Sequence, residues 1–280
     1  MTSPFDLERR VAEILDAAGI ESPEAEARWL IEAASGMDRE MLLVTKARLD
    51  DEVVAAALEL VRRRTAGEPL QYVTGIAGFR RLELNVGPGV LVPRPETEVV
   101  TEHALARIPA GGVVVDIGTG SGAIALAIKD ERPDARVLAT ELSPDAMRWA
   151  EMNRDDLSLE VELIACDLLT GLPSDLRNEI DVIVANPPYV AEADRGILPA
   201  DVVDHEPQQA LFAGERGTVV IDELAREARG WLKPGGWLVM EIGEAQGEST
   251  RTTLTAEGYA EVQIRRDLAG RERIAEARKA

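Results

Sequence analysis

The sequence predicts an α/β fold in which helices cover both faces of a mostly parallel sheet and a small helical domain precedes it. Three observations support this prediction. Short apolar runs alternate with helical patterns from residue 112 onward, the residues before position 67 keep helical spacing, and two strand-like runs flank Gly270. At 280 residues, the chain is long enough for one α/β domain and a smaller accessory domain.

The N-terminal segment, residues 1–67, is predicted to form the helical domain. Its apolar residues recur at helical spacing. The dipeptides Ser3-Pro4 and Ser22-Pro23 each place a capping residue before a proline that can occupy the first helical turn. We expect this domain to recognise the substrate by offering a surface to a protein partner.

Residues 68–95 differ in composition and are predicted to form a hairpin and a linker. Glycines are interleaved there with alternating apolar residues. The linker ends in a charged, proline-rich run at positions 93–98, where Pro95 can start a helix that continues to about residue 106. The catalytic domain is therefore predicted over residues 96–280.

Five apolar runs of this larger domain are predicted to be strands of a parallel sheet, with helices between most of them. They cover residues 112–117, 136–141, 161–165, 180–185 and 236–242. The tail differs, because runs 259–265 and 271–276 are close enough in the chain to form an antiparallel edge hairpin.

The net charge of −20 bears most directly on the class of partner. Proteins that bind phosphate backbones draw much of their affinity from Lys and Arg, whereas here 51 acidic residues outnumber 31 basic ones. Nucleic acid is therefore not expected as a partner. The acidity serves either solubility alone or the attraction of a basic partner protein.

Cysteine and histidine content argues against a metal cofactor. Cys166 is the single cysteine, and His103 and His205 form no cluster with zinc-ligand spacing. No apolar run approaches the roughly 18 residues of a membrane span, and the opening residues lack an apolar signal segment. We expect a cytoplasmic monomer that does not bind membranes.

A glycine-rich turn after the first strand of the sheet predicts a nucleotide-type cofactor site. Asp116 stands near the end of that strand, and glycines after it allow positive φ and close approach to a ligand. The turn also satisfies a relaxed dinucleotide fingerprint, so by itself it does not identify the cofactor. The residues of the turn are Gly118, Thr119, Gly120, Ser121 and Gly122.

Carboxylates at other strand ends favour S-adenosylmethionine over NAD. Glu141 ends the second strand, where its carboxylate can accept hydrogen bonds from both ribose hydroxyls of either cofactor. Asp167 follows the third strand and can receive the adenine amino group, and Asp116 can help to place the amino end of a methionine moiety. Capping or solvation of a strand end is the alternative for Asp167. The domain is thus predicted to be a Rossmann-like S-adenosylmethionine-dependent methyltransferase.

The tetrapeptide Asn186-Pro187-Pro188-Tyr189 follows the fourth strand directly and is the strongest functional signal in the chain. Ligands of open α/β folds bind at this carboxyl edge of the sheet. Neither proline has an N–H, and each restricts the residue before it, so the turn is stiff. Its carbonyls are therefore available to accept hydrogen bonds from a substrate.

This arrangement suits methyl transfer to a planar amino nitrogen, whose delocalised lone pair makes it a poor nucleophile. The Asn186 side-chain oxygen and the Pro187 carbonyl can each accept one N–H bond, which aims the lone pair at the methyl group. The Tyr189 ring is expected to lie along the planar group. No strong base is needed, because the nitrogen can lose a proton once it is methylated.

Together these motifs resemble the release-factor glutamine methyltransferases, the HemK/PrmC family. The resemblance covers nearly all of the chain, and the run Pro-Arg-Pro-Glu-Thr-Glu at positions 93–98 is its most specific part. The other segments that carry it are Pro69 to Tyr72, Asp116 to Gly122, Asn186 to Tyr189, and His205 to Pro207.

The resemblance implies an enzyme that uses S-adenosylmethionine to methylate the glutamine of the Gly-Gly-Gln motif in bacterial class I peptide chain release factors. It also implies that Arg94 and Glu96 lie near the pocket, with structural pairing as the alternative. Leu168 stands where some relatives carry an aromatic residue beside the adenine. The implied cofactor contacts are Gly118 to Gly122, Glu141, Asp167, Leu168 and Asn186, and the implied glutamine contacts are Asn186 to Tyr189.

Three other functions stay open on the sequence alone. The first is an adenine amino methyltransferase acting on DNA or RNA. After base flipping, the exocyclic amine of adenine would present the same poorly nucleophilic nitrogen to the same tetrapeptide. A nicotinamide-dependent oxidoreductase would use the relaxed fingerprint but leaves the tetrapeptide without a role. A binding module that kept the fold without activity would not need both loops intact.

Overall fold

The computed structural model describes residues 2–44 and 48–280. The chain forms two compact units. The first contains the chain up to Ile76 together with Pro199–His205, and the second contains Ala77–Leu198 and Glu206–Ala280. The predicted division at residues 67 and 95 stays a prediction.

The elements are numbered along the chain. The helices are α1 (Pro4–Ala17), α2 (Pro23–Ser35), α3 (Arg39–Val44), α4 (Asp51–Thr65), α5 (Leu70–Thr74), α6 (Pro95–Leu105), α7 (Ala123–Glu131), α8 (Pro144–Leu157), α9 (Ala200–His205), α10 (Gln208–Leu211), α11 (Val219–Ala228) and α12 (Gly247–Ala256). The strands are β1 (Ile76–Phe79), β2 (Leu82–Asn85), β3 (Val113–Ile117), β4 (Arg136–Glu141), β5 (Val161–Ala165), β6 (Ile180–Ala185), β7 (Leu232–Glu241), β8 (Tyr259–Arg266) and β9 (Glu272–Lys279).

The first unit is helical and packs α1, α2 and α4 around an apolar core that includes Leu7, Leu30 and Val61. Proline begins both α1 and α2, where its missing N–H costs no hydrogen bond. The serines before them make no side-chain cap hydrogen bond. Only α4 has such a cap among these three helices, because Asp50 accepts from the Val53 N–H at 3.0 Å.

The short helix α9 groups with this first unit, although it comes from the middle of the larger predicted domain. Its residues 201–203 are half-buried, and His205 Nε2 lies 3.9 Å from the position that a Cβ on Gly67 would occupy. The sequence could not anticipate this grouping, because it depends on contacts between segments that are far apart in the chain.

The second unit contains a seven-stranded sheet in the order β5-β4-β3-β6-β7-β9-β8. The five strands β3 to β7 pair in parallel, whereas β9 pairs antiparallel with both β7 and β8. The predicted parallel sheet with an antiparallel C-terminal hairpin is therefore confirmed. Strand β7 starts at Leu232, four residues earlier than predicted, because its pairing with β6 continues across an irregularity between Ile180 and Val182.

The sheet separates two apolar cores, as expected for a sheet covered on both faces. Strand β6 shows this most clearly, since all six of its residues are buried. Ile183 packs into one core with α11, whereas Val182 and Val184 pack into the other with α6 and α7. The central strand is thus buried up to its last residue, Ala185.

The register brings four strand ends to one edge of the sheet. Ile117 of β3 lies opposite both Thr140 of β4 and Ala185 of β6. On the other side of β6, Ala185 lies opposite Met240 of β7. The strand order reverses between β3 and β6, which is where open α/β folds bind their ligands.

Candidate active site

An open cavity lies at this carboxyl edge of the sheet. The glycine turn after β3, the ends of β4 and β5, and the start of the tetrapeptide after β6 contribute to its wall. Three of the predicted site residues, Asp116, Gly122 and Tyr189, are not part of the wall. The predicted residues that line the cavity are Gly118, Thr119, Gly120, Ser121, Glu141, Asp167, Leu168, Asn186, Pro187 and Pro188.

The glycine turn requires glycine for its backbone shape. Gly118, Gly120 and Gly122 have φ values of +68°, +60° and +86°, a region that residues with a side chain rarely adopt. A Cβ on Gly122 would also lie 2.8 Å from Cδ1 of Leu126. Gly122 therefore shapes the turn from behind the wall, whereas Gly118 and Gly120 lie in the wall itself.

Asp116 supports the turn from below and is fully buried. Its Oδ2 accepts hydrogen bonds from the Thr119 hydroxyl at 2.6 Å and from the Ala125 N–H at 3.1 Å. Its Oδ1 is buried and accepts no hydrogen bond from the part of the chain that the structure describes. Burial raises the pKa of this carboxyl to about 7.

Glu141 connects the end of β4 to the glycine turn. One of its carboxylate oxygens accepts the Gly120 N–H at 2.9 Å, and the other accepts the Ser143 N–H at 2.8 Å. A carboxylate has about four acceptor positions, so each oxygen can take a further donor from the cavity. The backbone contacts thus orient the carboxylate without exhausting it.

The end of β5 contributes an exposed carboxylate and a strained backbone. Asp167 is exposed at the cavity, and Leu168 next to it has a left-handed φ of +43°. A left-handed conformation is unfavourable for leucine and is found preferentially at functional sites. The thiol of Cys166 donates to the Leu168 carbonyl at 3.5 Å and helps to hold this turn.

These groups fit S-adenosylmethionine chemically. Glu141 presents free acceptor positions suited to two ribose hydroxyls, and the exposed Leu142 adds apolar wall suited to a flat base. Asp116 lies behind this wall and holds the glycine turn through Thr119.

The tetrapeptide presents unused acceptors at the cavity. Asn186 is half-buried, and its side-chain Nδ2 donates to the Thr97 hydroxyl oxygen at 3.1 Å. Neither the Asn186 side-chain oxygen nor the Pro187 carbonyl accepts a hydrogen bond from the described residues. Two acceptors for the hydrogens of a planar amino group are thus available in the wall.

Tyr189 is held at both its side chain and its backbone. Its hydroxyl donates to Oε1 of Glu241 at 3.0 Å, and its carbonyl accepts from Nε2 of Gln246 at 2.8 Å. Burial and the nearby Glu241 carboxylate raise the pKa of the phenol. The tyrosine therefore fixes the end of the tetrapeptide.

Three residues that support the site were missed by the sequence interpretation. Thr97 lines the cavity, and Glu241 and Gln246 anchor the tetrapeptide from β7 and the segment after it. Thr97 could have been found, because it lies within the specific run at positions 93–98. Glu241 gave no comparable signal, because only the pairing of β6 with β7 brings it beside Asn186.

The residues Arg94 and Glu96 are engaged in ion pairs. The Arg94 guanidinium contacts the buried Glu206 carboxylate, and Glu96 lies 2.7 Å from the Arg271 guanidinium. Glu206 also accepts from the Val92 N–H at 3.4 Å. The structure therefore shows the structural pairing that was the alternative for both residues.

No helix within residues 2–44 and 48–280 combines the length and apolar character needed to cross a membrane. Across the same residues, no group of histidine, cysteine, aspartate and glutamate side chains is arranged to hold a metal ion.

Two family profiles match the chain. One is described as the PrmC N-terminal domain and matches residues 6–75, and the other is described as the methyltransferase small domain and matches residues 95–214.

Among solved structures, a methyltransferase from Pyrococcus furiosus is 21% identical with a TM-score of 0.54. The alignment covers 71% of this chain and 89% of that protein. A 16S rRNA N2 G1207 methyltransferase from T. thermophilus, solved with AdoMet and guanosine, is 19% identical with a TM-score of 0.53, over 73% of this chain and 50% of its own. Both share the S-adenosylmethionine-dependent methyltransferase fold.

Curated relatives are similar over nearly the whole chain. The release factor glutamine methyltransferase of Streptomyces coelicolor is 44% identical over 94% of this chain and 93% of its own length. The enzyme of the same name from Mycolicibacterium smegmatis is 40% identical over 94% and 93%, and that from Escherichia coli is 37% identical over 91% and 91%. With this similarity, the matching N-terminal domain and the methyltransferase fold, the chain belongs to the release factor glutamine methyltransferase family.

Proposed function

We propose that this chain transfers a methyl group from S-adenosylmethionine to the side-chain amide nitrogen of the glutamine in the Gly-Gly-Gln motif of bacterial class I peptide chain release factors. The observation that carries the proposal is the pair of unused acceptors, the Asn186 side-chain oxygen and the Pro187 carbonyl, in the wall of the cavity at the carboxyl edge of the sheet. Family membership supports a glutamine as the group that they receive.

The cofactor is proposed to lie along the glycine turn and the ends of β4 and β5. Glu141 binds the ribose hydroxyls, and Asp167 and Leu168 contact the adenine. When bound, S-adenosylmethionine supplies a methyl carbon activated by its sulfonium. Gly118 to Ser121 leave room for its methionine end, and Asp116 keeps their backbone in place through Thr119.

The tetrapeptide is proposed to orient the glutamine amide. Its NH₂ group donates one hydrogen to Asn186 Oδ1 and the other to the Pro187 carbonyl, which turns the nitrogen lone pair towards the methyl carbon. Both prolines stiffen the turn, and Tyr189 anchors its end. The proton that leaves the methylated nitrogen passes to solvent through the open side of the cavity.

A protein substrate is favoured over an adenine base by two observations. The tetrapeptide could also hold an exocyclic amine, but a net charge of −20 opposes binding to phosphate backbones. The relatives named release factor glutamine methyltransferase also match nearly the whole chain, including the helical N-terminal part. We accordingly propose that the enzyme acts in the cytoplasm, as a monomer, on a protein and not on nucleic acid.

Mass spectrometry of the Gly-Gly-Gln peptide tests the proposal. The protein, S-adenosylmethionine and a bacterial release factor are incubated, and a gain of one methyl group on the glutamine is expected. Asn186→Ala should lower turnover by about 10²-fold or more while it leaves cofactor affinity nearly intact, since one preorganised contact to the reacting group is lost. Methylation of adenine in DNA or RNA, with an unmodified release factor, would refute the proposal.

A further inference from the structure

We propose that Glu241 is a positioning residue that determines which atom of the Asn186 side chain faces the substrate. This inference rests on the proposed function, because it concerns the acceptor that receives the glutamine amide. Glu241 is the last residue of β7 and is 1% exposed. It does not line the cavity, so its effect on the substrate passes through its neighbours.

Glu241 starts a chain of hydrogen bonds that ends at Asn186. Its Oε2 accepts from the Thr97 hydroxyl at 2.6 Å, and the same hydroxyl oxygen accepts from Asn186 Nδ2 at 3.1 Å. Its Oε1 accepts from the Tyr189 hydroxyl at 3.0 Å. One carboxylate therefore contacts both ends of the tetrapeptide, directly at Tyr189 and through Thr97 at Asn186.

The number of hydrogens on each group determines which group donates and which accepts in this series of hydrogen bonds. An ionised carboxylate can only accept, and the Thr97 hydroxyl has one hydrogen, which it donates to Glu241. The Thr97 oxygen must then accept, so Asn186 turns its NH₂ group towards Thr97. The Asn186 oxygen is left for the substrate. A donor at position 241 would allow the opposite direction, and the Asn186 NH₂ group would then oppose an amide N–H.

The surroundings of Glu241 affect its charge state in both directions. Burial raises the pKa of the carboxyl, whereas the Thr97 and Tyr189 hydroxyls and the positive charge of Arg273 oppose that rise. The Arg273 guanidinium carbon lies 5.8 Å from the centre of the Tyr189 ring. The Thr97 and Tyr189 hydroxyls each contact a different oxygen of the Glu241 carboxyl, and this geometry lets both oxygens accept.

Paired substitutions at the hydrogen-bonded residues between Glu241 and Asn186 provide the test. Thr97→Val removes the hydroxyl with little change in volume, whereas Thr97→Ser keeps it. Glu241→Met removes both acceptors, whereas Glu241→Gln keeps one carbonyl. Glu276→Gln is the matched control, because Glu276 is equally buried, lies on β9 beside β7, and pairs with His103 outside the cavity.

We expect Thr97→Val and Glu241→Met each to lower kcat by about 10- to 100-fold, as misplacement of a reacting group does. Cofactor affinity, measured by calorimetry, should change less than about threefold, as expected for residues outside the ribose and adenine contacts. Thr97→Ser should restore most of the turnover, Glu241→Gln should fall between wild type and Glu241→Met, and Glu276→Gln should leave kcat unchanged. The double variant of Thr97→Val and Glu241→Met should be no slower than the slower single variant, because both act on Asn186.

Unchanged kcat in Thr97→Val, or losses that simply add in the double variant, would overturn the inference. A second readout does not depend on turnover: NMR should show slow hydrogen exchange at the Asn186 side-chain amide in the wild type and fast exchange in Glu241→Met. Equal exchange in both would also overturn it. A protected Asn186 amide in a wild-type protein that leaves release factors unmethylated would instead refute the proposed function alone.

Discussion

At the scale of single residues, Glu141 has two roles that one substitution removes together. Its carboxylate holds the Gly120 and Ser143 N–H groups and presents further acceptor positions to the cavity. Glu141→Ala should therefore weaken S-adenosylmethionine binding by about 10- to 100-fold, the range for hydrogen bonds to a charged group. Calorimetry measures this affinity, with Glu162→Ala on the neighbouring strand β5 as a control. Unaltered affinity in Glu141→Ala would contradict the ribose role.

Asp116 should make stability depend on pH. Its folded pKa of about 7 lies above the ordinary value of 3.8, so between these values the folded state holds a proton that the unfolded state has lost. The contribution of Asp116 to the free energy of unfolding is fully present below pH 3.8 and decreases as the pH rises towards 7. The decrease is on the order of 4 kcal/mol relative to Asp116→Asn, which cannot ionise.

Urea unfolding of the wild type and of Asp116→Asn at pH 4, 5, 6 and 7 measures this difference. The asparagine side chain of the variant keeps an acceptor for Thr119 and Ala125 and carries no charge, so the variant should gain relative stability towards pH 7. A difference in unfolding free energy that stays constant over this range would contradict the prediction. A carboxyl that costs the folded protein this much is typical of a functional site.

The residues of the cavity wall were predictable because they follow strand ends, and the ends of parallel strands meet at one edge. Glu141, Asp167 and Asn186 belong to this class. Thr97 and Glu241 do not, because their places depend on strand register and on how α6 packs against the sheet. Tyr189 shows the same limit, since a contact with a distant glutamate decides the direction of its side chain.

At the scale of elements, the stiff turn after β6 depends on close packing against Gly217. This glycine has a φ of +70°, and a Cβ on it would lie 2.2 Å from the Tyr189 carbonyl oxygen and 2.9 Å from the Ala191 nitrogen. Gly217→Ala should displace the turn and break the contact of Tyr189 with Gln246. We expect kcat to fall by about 10-fold or more, in the range that a displacement of 1 Å produces.

Gly270→Ala is the matched control for this substitution. Gly270 has a similar φ of +80°, but a Cβ on it would meet nothing within 4 Å. Both variants carry the backbone penalty of a left-handed alanine, about 1 kcal/mol, and only Gly217→Ala adds the collision. Equal kcat values in the two variants would show that the turn tolerates the displacement.

Strands and helices of the larger domain were predictable because buried parallel strands are short apolar runs separated by helical periodicity. Two features escaped this logic. Strand β7 begins at Leu232 within a run that contains proline and glycine, which indicate a loop when read locally. Helix α9 groups with the first unit through contacts between distant positions, which no local pattern encodes.

At the scale of the whole molecule, the response to acid should depend on buried ion pairs of the larger unit. Glu276 of β9 is fully buried and contacts His103 Nδ1 of α6 at 2.5 Å and the guanidinium of Arg107, just after that helix, at 2.9 Å. These contacts lower the pKa of Glu276 to about 2 despite its burial. The cluster joins the helix that begins at the proline-rich run to the antiparallel hairpin.

The pH dependence of stability that Glu276 produces is opposite in sign to the one that Asp116 produces. With a folded pKa of about 2 and an ordinary value of 4.5, the unfolded state binds the proton first as the pH falls. The stabilisation is complete above pH 4.5 and is lost as the pH falls towards 2. In Glu276→Gln the stabilisation is absent at every pH, so the variant should be less stable by about 3 kcal/mol near pH 6, and the difference should shrink steadily below pH 4.5.

Denaturant unfolding at pH 6, 4, 3 and 2.5, monitored by tryptophan fluorescence, measures the free energy of unfolding of the wild type and of Glu276→Gln as a function of pH. Trp237 reports directly on the cluster, because the Arg107 guanidinium lies 3.8 Å from its ring centre. Glu162→Gln is the control, since Glu162 of β5 forms an exposed ion pair with Arg136 of β4 and a solvent-screened pair contributes at most about 1 kcal/mol. Parallel curves for wild type and Glu276→Gln between pH 6 and 2.5 would show that this cluster does not determine the acid stability of the molecule.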